Sequence, residues 1–174
     1  MVAPLDDPKG TTEFDDGFAA RYVEARRLAY AIVGDRTTAD DLAVEALVRT
    51  LNRWHRVRLL RHRDAWVLRA AAILAIDAAR RGAVGTAAPA DAAVEGDDLV
   101  ALDRSLVDAL VRLPSRDRIA IVLVEVARCP AEDAAAAMNV SIASLRKHIR
   151  RGLDRLDDEV PAAANPWRSA HALG

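Results

Sequence analysis

Cysteine is nearly absent from this 174-residue chain. The one thiol, Cys129, excludes an intrachain disulfide and any cysteine metal cluster. It precedes Pro130 with no histidine beside it, so it reads as a small buried apolar residue rather than a nucleophile. Aromatic residues are scarce at 4%, which leaves the core to Ala, Leu, Ile and Val. No stretch alternates apolar and polar residues long enough for a strand, and Ala, Leu, Arg and Asp dominate, so the expected fold is all-α. No Gly-rich phosphate loop is present. The four histidines (His55, His62, His148, His171) have no metal-ligand spacing, so neither an enzyme, a metal nor a cofactor is expected. No charge-free apolar run nears the ~20 residues of a membrane span. The first residues show no signal-peptide pattern, which points to a cytoplasmic protein.

What is present is charge, and it is segregated. The net charge of −1 argues against a general polyanion binder. Yet from Val48 to Arg63 every charged residue is basic: Arg49, Arg53, Arg56, Arg58, Arg61 and Arg63. A second basic run holds Arg146, Lys147, Arg150 and Arg151. A near-neutral total with two basic clusters suits two localised anionic contacts.

Residues 1–11, with two prolines and no periodicity, are expected to be a disordered leader. Over 12–81, three helices are expected. The first carries Phe14, Phe18, Tyr22, Ala25, Ala29, Ile32 and Val33 at helical spacing and stops at Gly34. The next starts at Thr38-Ala-Asp-Asp41 and carries Leu42, Ala46, Leu47, Leu51 and Trp54 on its apolar side. A polar connection from His55 to Arg63 leads to the third, Asp64 to Arg81, with Trp66, Ala70, Ile73, Leu74 and Ile76 inward. Residues 82–98 lack apolar periodicity and are expected to be a flexible linker spanning about 20–25 Å on average. A second helical domain is expected over 99–158, and a loose tail over 159–174.

The second domain holds the most specific pattern. A short helix (Ala131 to Met138), a tight turn at Asn139 and a helix capped by Ser141 make a helix-turn-helix. The last helix turns Ile142, Leu145, Ile149, Leu153 and Leu156 inward. Recognition helices read base edges near their N-terminus and grip phosphates with the rest. Ser144, Lys147 and His148 are therefore candidate base contacts, and Arg146, Arg150 and Arg151 candidate phosphate contacts.

The C-terminal half resembles region four of the bacterial extracytoplasmic-function sigma factors, the promoter-specificity subunits of RNA polymerase. The matching residues are Leu113-Pro114, Arg118, Glu132-Asp133-Ala134-Ala135, Val140-Ser141, Ser144-Leu145-Arg146 and Arg151. The N-terminal half is similar to region two of that family through Gly34-Asp35, Ala39-Asp40-Asp41-Leu42, Glu45-Ala46, Trp54, Ala65-Trp66, Ala75-Ile76-Asp77 and Arg80-Arg81. It departs from the family pattern at Val44, Ile73 and Ala134. The resemblance implies two small helical domains, a three- to four-helix bundle and a helix-turn-helix domain, joined by a flexible linker. It implies three partners: core RNA polymerase, promoter DNA and an anti-sigma factor. Asp40, Asp41, Leu42, Glu45 and Arg49 would dock on the polymerase. Trp54, His55, Arg56, Arg58, Arg61, His62 and Trp66 would hold the melted minus-ten strand, consistent with the cationic grooves and stacking rings that single strands favour. Ser141, Ser144, Arg146, Lys147, His148, Arg150 and Arg151 would meet the upstream duplex. Two other readings remain: a two-domain helix-turn-helix regulator of the LuxR-like kind, and a sigma-like protein acting chiefly through protein partners.

Overall fold

The computed structural model describes residues 12, 14–82 and 99–168. Among these residues there is no strand, and the order is helical throughout. We number the helices α1 (Phe18–Val33), α2 (Arg36–Leu51), α3 (Trp54–Val57), α4 (Arg63–Arg80), α5 (Arg104–Arg112), α6 (Ser115–Ile121), α7 (Ala131–Ala137) and α8 (Ile142–Glu159). A π-helical turn, Val122–Val126, continues α6, and a 3₁₀ turn, Ala162–Ala164, follows α8. The proposed leader and most of the linker lie outside the described residues.

The first module is a bundle of α1, α2 and α4. In α1, Ala25, Leu28, Ala29, Ile32 and Val33 are buried at three- and four-residue steps. Gly34 ends the helix at φ 68°, a left-handed conformation that costs glycine little, and its N–H donates to the Tyr30 carbonyl at 2.8 Å. The next helix starts earlier than the Thr38 cap expected from sequence. Asp35 is the cap: its extended backbone aims the carboxylate at the Thr38 N–H, 2.7 Å away. Alanines at 39, 43 and 46 are fully buried on α2, as are Ala71, Ala72 and Ala75 on α4. Such small side chains let helix axes approach closely and compensate for the shortage of aromatics.

Within this core sits an unexpected cation. Arg21 is 7% exposed, donates to Asp64 Oδ1 at 2.8 Å and to the Phe14 carbonyl at 3.2 Å, and stacks 5.0 Å from the Trp54 ring. It ties α1 to the first turn of α4, and Gly17 leaves room for its guanidinium.

The second module wraps α5, α6 and α7 around α8. Its own cluster holds Leu106, Leu110, Leu113, Ile121, Leu153, Leu156 and Val160. The described part of the tail, to residue 168, departs from the expected loose segment: Trp167 is 4% exposed in this cluster. Asn165 Nδ2 donates to Asp157 at 2.7 Å, and Arg168 holds the same residue. An indole has enough apolar area to order a short segment when a groove awaits it.

The modules are not apart. α4 packs on α5, α6, α7 and the π turn, and one continuous core runs from Phe14 to Leu145. The Leu102 N–H donates to the Ala31 carbonyl at 2.8 Å, satisfying a group that the end of α1 leaves unpaired. Cys129 lies in this shared core, where burial, with Asp133 and Glu24 nearby, pushes its thiol up to about 11 and makes it inert.

Candidate nucleic-acid interface

The helix-turn-helix is built by its turn. Met138 closes α7, Asn139 adopts φ 56°, and two hydrogen bonds follow: Asn139 N–H to Ala136 O and Val140 N–H to Ala135 O, both 3.0 Å. That pattern is a Schellman motif with asparagine in the left-handed position. Ser141 then caps α8, accepting from the Ser144 N–H at 3.1 Å. Ala134, Ala135 and Ala137 are buried where α7 meets its neighbours.

The outward face of α8 divides in two. Arg146, Lys147 and Arg150 are exposed and have no ion-pair partner among the described residues. His148 and Arg151 instead turn toward α6 and share Asp117 Oδ1, at 2.7 and 2.8 Å; Arg155 approaches Oδ2 at 3.8 Å. The Asp117 side chain is only 2% exposed. Burial disfavours its charge, but hydrogen bonds from His148 and Arg151 outweigh that and hold the carboxyl below the ordinary carboxylate range. Sequence reading missed Asp117, because nothing local marks a residue whose partners lie 31 and 34 positions away. Ile142, expected inward, is 37% exposed: it stands at the first turn of α8, beyond the reach of the core that covers Leu145.

The basic segment of the first module is a surface loop broken by one helical turn, α3. His55, Arg56 and Arg61 are exposed, Arg58 and His62 half-buried. Trp66 is half-buried, with Arg69 5.8 Å from its ring. Trp54 differs from expectation: at 4% exposure, edge-on to Phe14 with centroids 5.1 Å apart, it is a core residue and offers no stacking platform. Leu59, unremarked in the sequence, is 76% exposed at the centre of this cationic loop.

On α2 the structure separates the five candidates for polymerase contact. Asp41, Glu45 and Arg49 are exposed, the last two bonded at 2.7 Å. Asp40 accepts from the Tyr22 hydroxyl at 2.9 Å and from Arg26, which makes it a tie between α1 and α2. Burial and the neighbouring Asp40 carboxylate raise the Tyr22 hydroxyl above its usual range. Leu42 packs against the core. The solvent side gains two residues that sequence reasoning did not nominate, Val44 and Val48, 47% and 45% exposed.

Among the described residues the chain is two helical modules, one holding a helix-turn-helix whose second helix bears a free cationic row and the other a basic loop, which places it in the helix-turn-helix class. Residues 103–156 match the family described as Sigma-70, region 4. The chain is 30% identical over 152 residues to the RNA polymerase sigma-E factor of Streptomyces avermitilis, covering 85% of each chain. It is also 30% identical to the factor of that name from Streptomyces antibioticus, covering 85% of this chain and 84% of that one. The fold matches the sigma factor RpoE in its co-crystal structure with the anti-sigma factor NepR from Bartonella quintana. There the TM-score is 0.53 at 19% identity, over 85% of this chain and 96% of that one. The chain belongs to the extracytoplasmic-function sigma factors of RNA polymerase. Among the described residues no helix is long and apolar enough to cross a membrane.

Proposed function

We propose that this sigma factor grips a promoter at two points. The second module meets the upstream element as duplex DNA through Ser144, Arg146, Lys147 and Arg150, with Lys147 and Ser144 toward base edges and the two arginines toward phosphates. The first module supplies His55, Arg56, Arg58, Arg61, His62 and Trp66 to the melted minus-ten strand, and the exposed α2 strip of Asp41, Val44, Glu45, Val48 and Arg49 to core polymerase. An apolar pair framed by opposite charges is the usual make-up of a protein-docking surface.

The observation that carries this reading is the row Arg146, Lys147 and Arg150. These cations are uncommitted on a helix that the Asn139 turn and Ser141 cap hold in a defined direction. Phosphate contacts of this kind supply sequence-independent affinity, and base contacts supply selectivity. An anti-sigma factor accompanies the structural neighbour, and a partner of that class fits this chain too. The test is transcription from a promoter library by core polymerase with and without the protein. Promoter-selective transcripts are expected only with it. Failure to bind core while still binding duplex DNA would leave an ordinary helix-turn-helix regulator.

A further inference from the structure

Asp117 lies outside the outward row of α8, yet it holds His148 and Arg151, which stand beside that row. Its Oδ1 is 2.7 Å from His148 Nδ1 and 2.8 Å from an Arg151 Nη, while those two nitrogens are 2.9 Å apart. For a neutral ring, only one tautomer satisfies all three distances. An unprotonated Nδ1 would set its lone pair against a carboxylate oxygen at hydrogen-bond distance, which is repulsive. With the proton on Nδ1, Oδ1 accepts from both side chains, and the 2.9 Å separation is that of two donors sharing one acceptor. Neutral His148 then carries its lone pair on Nε2. That atom has no protein partner, and it is not among the buried unsatisfied atoms, so it reaches solvent. His148 lies on the first two turns of α8, four residues after Ser144, on the helix proposed to meet duplex DNA.

We propose that Asp117 is a positioning residue for sequence readout: it fixes the His148 tautomer, so that Nε2 is presented as a hydrogen-bond acceptor to a base edge. In the major groove an acceptor selects an exocyclic amine, the N4 of cytosine or the N6 of adenine, against the O6 and N7 acceptors of guanine. Arg151, held by the same carboxylate, has part of its charge neutralised and contributes less to phosphate binding than Arg150. Asp117 thereby separates α8 into a free cationic row and one oriented acceptor. This rests on the assignment of α8 to duplex DNA.

The experiment uses holoenzyme reconstituted with core polymerase and a promoter library randomised across the upstream element. Bound sequences are compared for the wild type, Asp117→Asn, His148→Ala and Arg151→Ala. The wild type is expected to prefer adenine or cytosine at one position of one strand. His148→Ala should lose that preference, by roughly ten- to hundred-fold in selectivity, and leave the other positions unchanged. Asp117→Asn should change the preference at the same position, because an amide can donate to Nδ1 and move the ring proton to Nε2. Arg151→Ala, which keeps the Asp117–His148 bond, should preserve the preference. A purely structural Asp117 would weaken every position together, and that result overturns the proposal. So does an unchanged profile for His148→Ala with selectivity elsewhere intact, which leaves the DNA reading of α8 standing. A wild-type holoenzyme without any upstream preference overturns both. Should Asp117→Asn lose cooperative unfolding, the ring nitrogen NMR shifts of His148 in the wild type decide: a protonated Nδ1 with an unprotonated Nε2 is expected, and any other state overturns the proposal.

Discussion

At the scale of single residues, charge and space give separate predictions. Arg150 is exposed and uncommitted, so Arg150→Ala should weaken binding about equally for all sequences and lower the salt slope by about one unit. Lys147→Ala should instead alter which upstream sequence is preferred; electrophoretic titrations over a range of salt separate the two. Asp117 predicts a pH dependence. Its carboxyl is lowered in the folded state by His148 and Arg151, so its stabilisation is present above the unfolded-state value and is lost as pH falls through the folded one. Acid unfolding followed by circular dichroism should show a shallower low-pH limb for Asp117→Asn than for wild type. Gly152 faces the same helix: a Cβ there would sit 2.5 Å from Ile121 Cδ1. Alanine favours a helix over glycine by ~1 kcal/mol, but overpacking costs about 1–3 kcal/mol. Ile121 is fully buried and has no room to retreat, so the clash wins and Gly152→Ala lowers Tm. Ile121→Val removes the offending methyl and should restore the double variant.

At the scale of elements, the comparison of sequence with structure turns on range. Features set within four or five residues were legible: the Gly34 stop, the Asn139 turn, the Ser141 cap and the periodicity of α1. The helix-turn-helix was legible because each of its parts is of this kind. Features set by distant partners were not. Trp54 lies within a basic stretch and looks like a stacking ring, but Phe14 and Arg21, 40 and 33 positions earlier, pack against it in the core. Asp40 resembles a docking acid until Tyr22 and Arg26 claim it. Val44, which stands out in the sequence only as a departure, acquires meaning beside Val48 on a helix face that stays exposed among the described residues. The Asn139 turn offers a direct check. Glycine tolerates φ 56° without a Cβ penalty, whereas a β-branched residue there costs roughly 1–2 kcal/mol. Asn139→Gly should leave Tm and DNA binding nearly unchanged. Asn139→Val should lower both, because the turn also sets the direction of α8.

At the scale of the whole molecule, the question is whether two modules behave as one. A flexible connection over 82–98 would predict two independent units, each with a modest core. The packing of α4 on α5, α6 and α7, the Leu102–Ala31 hydrogen bond and a core continuous from Phe14 to Leu145 predict a single cooperative unit instead. The three tryptophans make this measurable, since Trp54 and Trp66 report on the first module and Trp167 on the second. A variant with Trp54 and Trp66 replaced by phenylalanine leaves Trp167 as the sole tryptophan, read by excitation at its red edge, and Trp167→Phe leaves the other pair. Each variant should show its fluorescence and far-ultraviolet transitions at one common denaturant midpoint. Truncation to Trp167→Ala should cost about 3–5 kcal/mol, the usual penalty for emptying a buried aromatic site. If the modules share their stability, that loss in the second module lowers the midpoint reported by Trp54 and Trp66 as well. Separate midpoints for the two reporters would mean that the shared core does not couple the modules.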